Sequence, residues 1–267
     1  MARIGLVAGE GKLPIVFARV AKSKGDTVVA LGLKGITSPE LEKYVEKMHW
    51  VPWGHLERAI LIVATARIKK ITMLGKIKKD ILFKDEKDLD DNAKKIMGKI
   101  KDKKDYAVLN EVANMLKKFG IDVMDSTAYL KDLIPSKSIL TRRVPSEAEL
   151  RDIEYGREVA KSLSGFDIGQ TIVVKDKTVI AVEAMEGTDE TIARSGTIVN
   201  GGFVVVKVAR PDQDMRFDVP LVGLDTVKTL VRSLGKVIAL EAGKTLLMDK
   251  DEVIKFADLN DISIAII

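Results

Sequence analysis

The residues best suited to chemistry lie in one stretch, residues 201–225, G-G-F-V-V-V-K-V-A-R-P-D-Q-D-M-R-F-D-V-P-L-V-G-L-D. Residues 203–208 form a β-branched run that reads as a largely buried strand. Arg210, Asp212, Gln213, Asp214, Arg216 and Asp218 follow at once, around Pro211 and before Pro220. A proline at each end predicts an ordered loop that is neither helix nor mid-sheet strand. Carboxylates and guanidiniums on such a loop can bind a divalent cation and clamp phosphate oxygens. The same residues also suit a surface turn with solvated ion pairs. Asp218 is the expected catalytic carboxylate. In extended backbone it points the same way as Arg216 and Pro220, so a carboxylate and a guanidinium share one face. Asp225 is the competitor, but Gly223-Leu-Asp-Thr-Val before a helical run reads first as an N-cap.

Two further acidic stretches follow apolar strands. Glu183-Ala-Met-Glu-Gly-Thr-Asp-Glu-Thr191 comes after the run 178–182, with Gly187 and Thr188 at a helix start. Ile238-Ala-Leu-Glu-Ala-Gly-Lys-Thr-Leu246 repeats the strand end with Glu-Ala and a nearby glycine at Glu241. Carboxylates at strand ends beside glycine loops suit Mg²⁺ on a diphosphate. Glu183, Asp189, Asp214 and Glu241 are therefore the candidate metal ligands. The alternative is that Glu183 and Glu241 satisfy loop N–H groups. Arg142 and Arg143 stand just before a capping-box pattern, Ser146 with Glu149. They are either phosphate forks or a solvated pair in a linker.

These groups need a frame, and the first half of the chain supplies one. Residues 3–8 read as a strand, Gly9-Glu-Gly-Lys-Leu-Pro14 as a loop, and 15–23 as a helix. Strand, glycine loop and helix open a nucleotide-binding unit in which backbone N–H groups receive phosphate. Gly9, Gly11 and Lys12 are the candidate contacts. The match is partial, since Pro14 replaces the third glycine of G-x-G-x-x-G, and tight turns use glycine without any ligand. Strands at 27–31, 48–51, 71–74 and 121–124 alternate with helices that begin at Ser38-Pro39 and span 56–66, 80–100 and 105–119. This predicts a mostly parallel sheet with helices on both faces. It places 9–12, 53–55 and 75–76 on one carboxyl rim. His49 and His55 read as structural. After the junction at 138–147, a helix over 147–163 and a hairpin of 170–174 with 178–182 change the pattern. The fold class is α/β: an N-terminal Rossmann-like parallel-sheet domain over 1–135, and a C-terminal mixed α/β domain over 136–267 that carries the acidic loops.

Composition narrows the function classes. The 267 residues contain no Cys, which excludes disulfides, thiolate metal sites and a cysteine nucleophile. At 46% hydrophobic residues the chain has ample material for cores. No apolar run is long enough to span a bilayer, and the N-terminal residues break into Gly and Glu too early for a signal peptide, so a cytoplasmic protein is expected. Part of the net charge of +5 is concentrated at 67–70, 76–79 and 94–104, with acidic residues interleaved from Asp80 to Asp91. Such a surface attracts phosphorylated ligands or anionic lipid, and it also fits a heat-adapted protein.

Several phrases together carry a family likeness: I-G-L-V-A-G-E-G-K-L-P (4–14), I-L-T-R-R-V-P-S-E (139–147), D-I-G-Q-T-I-V-V (167–174), A-V-E-A-M-E-G-T-D-E (181–190), K-V-A-R-P-D-Q-D-M-R-F-D-V-P-L-V-G (207–223) and A-L-E-A-G-K-T-L-L-M-D (239–249). The chain resembles the UDP-2,3-diacylglucosamine pyrophosphatases of lipid A biosynthesis, of the type found in bacteria lacking the metallophosphoesterase version. It departs from that pattern at Glu10 and at Gly54-His55. The resemblance implies Mg²⁺-dependent hydrolysis of the substrate diphosphate to UMP and 2,3-diacylglucosamine 1-phosphate, with the substrate between two domains. The same phrases add Gln170, Thr188 and Lys207 as substrate-binding candidates. The expected partner is the lipid nucleotide, with peripheral contact at the inner membrane and room for a homodimer, and no nucleic acid. Two rival readings are a nucleotide-dependent oxidoreductase, from the G-x-G start, and a nucleic-acid binder, from the basic pI.

Overall fold

The computed structural model describes residues 1–77, 89–99, 105–217 and 219–267. Asp218 and part of the helix expected over 80–100 lie outside the described residues. The chain divides into two compact units, Met1–Leu130 with Asp214–Asp218, and Lys131–Gln213 with Val219–Ile267.

In the first unit, strands β1 (Arg3–Ala8), β2 (Thr27–Leu33), β3 (Lys47–Val51), β4 (Lys70–Leu74) and β5 (Asp122–Val123) make a sheet in the order β3-β2-β1-β4-β5. Every pair is parallel. The helices are α1 (Leu13–Ser23), α2 (Leu56–Thr65), α3 (Asp91–Lys99) and α4 (Asp105–Lys118). β2 is buried along nearly its whole length, which is why it reads as a continuous apolar run rather than an alternating one. Ile60, Val63 and Leu116 of α2 and α4 pack with Val29, Leu31, Val51 and Ile71. The direction of winding changes between β1 and β4, and sheets of this kind bind ligands at the carboxyl ends flanking such a point. One expectation needs correction. Ser38 caps a 3-10 turn, Pro39–Tyr44, and not an α-helix, its hydroxyl accepting from the Glu40 N–H at 3.3 Å. Leu41 is the only buried residue of that turn, too little apolar surface to hold a longer helix.

The second unit contains β6 (Ser138–Ile139), α5 (Glu147–Gly165), β7 (Thr171–Lys175), β8 (Thr178–Val182), α6 (Thr188–Ile198), β9 (Val204–Lys207), β10 (Leu221–Val222), α7 (Leu224–Arg232), β11 (Val237–Leu240), β12 (Leu246–Leu247), α8 (Lys250–Leu259) and β13 (Ser263–Ile266). Its main sheet is mixed, in the order β6-β13-β11-β9-β7-β8, with β13, β11 and β9 parallel. Alternation sorts the two faces. Val204 and Val206 pack with Ile153 and Ala160 of α5. Phe203 and Val205 pack with Ile192, Val227, Leu230, Val253 and Ala257 of α6, α7 and α8. α5 begins with the expected capping box, Ser146 accepting from Glu149 N–H and Glu149 accepting from Ser146 N–H. The β7–β8 hairpin turns through Asp176 and Lys177, both at positive φ (50° and 55°). Buried Asp152 of α5 accepts both of their N–H groups, at 3.0 and 2.7 Å, and locks the turn to the helix.

Candidate active site

The polar residues of the second unit gather at one end of its sheet because of strand direction. β9 runs parallel to β11, so Lys207 lies level with Leu240 and Glu241 comes next. β7 runs antiparallel to β9, which sets Thr171 opposite Lys207. β8 returns beside β7 and delivers Glu183 to the same end. There the Lys207 ammonium donates to Thr188 Oγ1 at 2.7 Å and to Thr171 Oγ1 at 3.2 Å, and stands 3.8 Å from Glu183 Oε2. Thr188 donates to Glu183 Oε1 at 2.8 Å, and the Gln170 N–H donates to Oε2 at 3.2 Å. Burial pushes the Glu183 carboxyl up, but Lys207, the two threonine hydroxyls and the Gln170 N–H outweigh it and hold it below the usual glutamate range. Beside this cluster Lys161 Nζ lies 2.7 Å from Glu241 Oε1 and donates to the Ala209 carbonyl at 2.9 Å. The Ala209 N–H donates to Glu241 Oε2 at 2.7 Å. Arg210 pairs with Asp167.

A depressed carboxyl contributes stability above its unfolded pKa and loses it as pH falls through the folded value. Glu183 titrates in the unfolded chain near the usual glutamate value of about 4.3. The second unit should therefore lose stability from about pH 5 downward. Urea denaturation as a function of pH checks this: the loss should be shallower in Glu183→Gln than in the parent chain.

In the first unit β1, β3 and β4 end at Ala8, Val51 and Leu74, so 9–12, 53–55 and 75–76 leave the sheet at its carboxyl end, as expected. Gly9 N–H donates to the Leu74 carbonyl at 2.8 Å, and Glu10 and Lys76 exchange backbone bonds at 2.8 and 2.9 Å. A Cβ on Gly9 would lie 2.7 Å from the Lys76 carbonyl oxygen. Loop-to-loop packing therefore accounts for glycine at this position. Gly11 is different: its φ of +101° requires glycine, and among the described residues no atom beyond its two chain neighbours lies within 4 Å of where a Cβ would stand. Lys12 occupies the N-cap of α1, with Pro14 in its first turn.

The first unit also holds the segment that carries Arg216. The Arg216 guanidinium forks onto Asp214, Nε at 3.0 Å from Oδ1 and Nη2 at 2.6 Å from Oδ2, and it lies 4.7 Å from the Phe217 ring centroid. The hydrogen bond from Arg216 holds the Asp214 carboxyl below its usual range. The Arg216 side chain is 39% exposed, an oriented cation that still reaches solvent.

The remaining candidates separate. Arg143 is committed to Glu149 at 2.7 Å and so supports the capping box, whereas the Arg142 side chain is 91% exposed. Asp189 is exposed in the first turn of α6. Asp225 is corrected from its expected N-cap role. Gly223 occupies that position, and Asp225 is the second helical residue, exposed, 3.9 Å from Lys228. Among the described residues no three His, Asp or Glu side chains are grouped to hold a metal ion. Glu183 and Glu241 are held by lysines and N–H donors, and Asp214 by Arg216, so these carboxylates do not present open ligand sets. Lys161, Asp167, Thr171 and Ser126 are not legible as site residues in the sequence. Each lies far along the chain from its partner, and although Asp167 and Thr171 fall in the phrase 167–174, that phrase does not show what they bond.

Comparison with known proteins adds the following. The LpxI N-terminal domain model matches residues 3–133, and the LpxI C-terminal domain model matches residues 136–265. A relative from Caulobacter vibrioides, named UDP-2,3-diacylglucosamine pyrophosphatase LpxI, is 26% identical over 97% of this chain and 95% of its own length. Among solved structures, an N5-carboxyaminoimidazole synthetase from Staphylococcus aureus aligns at 12% identity and a TM-score of 0.29, covering 65% of this chain and 32% of that one. A biotin carboxylase from Campylobacter jejuni aligns at 11% identity and 0.29, covering 73% and 41%. The chain thus spans less than half of either structure, and likenesses at that score carry no argument.

Proposed function

Because the chain belongs to the LpxI family, we propose that it hydrolyses the diphosphate of UDP-2,3-diacylglucosamine to UMP and 2,3-diacylglucosamine 1-phosphate. The observation that carries this is the relative of that name, aligned along nearly the whole of both chains. Water supplies the oxygen that forms the new bond to phosphorus, and the bridging P–O bond breaks. Arg216, oriented by Asp214 and partly exposed, balances phosphate charge. Asp218 orients the attacking water. Gly11 and Lys12, at the start of α1, and Arg142 are the proposed phosphate contacts. Gln170, Thr188 and Lys207 line the polar end of the second sheet and complete the proposed set.

Mg²⁺ is the proposed cofactor, on the strength of the acidic loops in the sequence. Since Glu183, Asp214 and Glu241 are already paired, no step is assigned to it. The expected result is that EDTA abolishes UMP release and added Mg²⁺ restores it. Because Glu183 and Glu241 are bound internally, Glu183→Gln and Glu241→Gln should leave the half-saturating Mg²⁺ concentration within about threefold of the parent. Full turnover in chelated buffer would remove the cation from the proposal, and a tenfold shift in either variant would return that carboxylate to the ligand set.

No described helix is long and apolar enough to cross a membrane. Peripheral contact with the inner membrane, from the cytoplasmic side, belongs to the same proposal, since the substrate is a lipid and the chain is basic.

A further inference from the structure

We infer that Ser126 is a positioning residue that fixes the Arg216 segment to the first unit. The segment lies in sequence between β9 and β10 yet belongs to the compact unit of β1–β5. Ser126 stands just beyond the carboxyl end of β5 and is 1% exposed. Its N–H donates to the Met215 carbonyl at 3.0 Å, and its hydroxyl donates to the Arg216 carbonyl at 2.7 Å. A single residue thus holds two successive carbonyls of the segment, that of Met215 through its backbone N–H and that of Arg216 through its side chain.

The serine is fixed in turn. Asp125 closes an Asx turn around it, accepting from Thr127 N–H at 2.7 Å and from the Thr127 hydroxyl at 2.6 Å. Thr72 of β4, fully buried, donates to Ser126 Oγ at 3.2 Å. The Ser126 hydroxyl has one proton and two acceptors in reach, the Met73 carbonyl at 3.1 Å and the closer Arg216 carbonyl. With Thr72 occupying one lone pair, the shorter bond to Arg216 is the favoured direction. Arg216 therefore receives its place from β4 and β5 through Ser126, and its side-chain direction from Asp214.

The consequence for turnover rests on the proposed hydrolase reading, in which Arg216 meets the diphosphate. A misplacement of about 1 Å at a reacting group costs on the order of 10²-fold in rate. Ser126→Ala should lower kcat for UMP release by about 10- to 100-fold while KM for the lipid nucleotide stays within about threefold. Thr72→Val, which keeps the shape and removes one donor, should give a smaller loss in the same direction, and Thr72→Ser should restore the parent rate. Trypsin gives a second readout that needs no activity. In this loop Arg210 precedes Pro211, which blocks cleavage, so the Arg216–Phe217 bond is the sensitive one. Cleavage there, followed by mass spectrometry on the folded chain, should accelerate in Ser126→Ala and Thr72→Val. Parent-like cleavage in both variants overturns the inference, as does faster cleavage with an unchanged kcat. If the parent chain itself releases no UMP, the hydrolase reading fails, and the trypsin rates still decide whether Ser126 holds the segment.

Discussion

Asp218→Ala should fold, bind the lipid nucleotide and lose turnover by about 10²- to 10⁴-fold, the range expected when a general base is removed. The neighbours of Asp218 narrow the choice. Asp214 is spent on orienting Arg216, which donates to both of its oxygens. Asp212 is exposed in the turn after Pro211. Asp225 is 93% exposed in the first turn of α7, without a cap bond. Asp218 follows the oriented Arg216 by two residues in sequence, and the proposal has this carboxylate and guanidinium serve one phosphate group. Asp225→Ala should then keep parent activity and change stability only by the helix-dipole contribution, about 0.3–1 kcal/mol. Steady-state kinetics with a substrate-binding measurement on both variants checks this. Near-normal turnover in Asp218→Ala, or a stable but inactive Asp225→Ala, would assign the chemistry to the other aspartate.

The largest effect on stability is expected at Lys207. Its side chain is 8% exposed and that of Glu183 12%, so each is the other's principal counterion in a nearly dry setting. Lys207→Met leaves the carboxylate buried with only neutral donors. Breaking a buried pair in this way costs about 3–5 kcal/mol. Lys207→Met combined with Glu183→Gln should recover most of that loss, because no uncompensated charge remains and the Thr188 hydroxyl retains a neutral acceptor. The comparison pair is Lys161 with Glu241, where the lysine is 31% exposed and solvent can replace the missing ammonium. Lys161→Met should cost less. Urea denaturation of the three variants decides the point. A Lys207→Met chain within about 1 kcal/mol of the parent would mean that the cluster does not depend on the ion pair.

Much of the frame is legible in the sequence because it is local. The Ser146–Glu149 box, the Val-rich strand before Ala209 and the proline-bounded loop after it each carry their signal within a few residues, and the structure has all three. The partners of the carboxylates are not legible in this way. Glu183 and Glu241 look alike in sequence, each a strand end followed by alanine, and read first as metal ligands, with internal acceptors as the alternative. Lys207 and Lys161 become their neighbours only once strand order and the docking of α5 are known. Asp152 looks like one more solvated helix acid until the hairpin turn folds onto it. Ser126 is a small polar residue after a two-residue strand, and its bonds to 215 and 216 close a loop of about ninety residues that no local pattern encodes. Asp225 is not the cap because the N-cap position falls two residues earlier, at extended Gly223, and the backbone is helical from Leu224, a shift of the size by which helix starts commonly vary.

The most direct test of the proposed chemistry is the fate of the diphosphate itself. Purified chain and Mg²⁺ are incubated with UDP-2,3-diacylglucosamine and followed by ³¹P nuclear magnetic resonance. The account expects the two coupled diphosphate signals to give way to two monophosphate signals of equal intensity, one UMP and one 2,3-diacylglucosamine 1-phosphate, with Arg216→Ala markedly slower. Diphosphate signals that persist unchanged with folded parent chain, or products other than this equal pair, would contradict it.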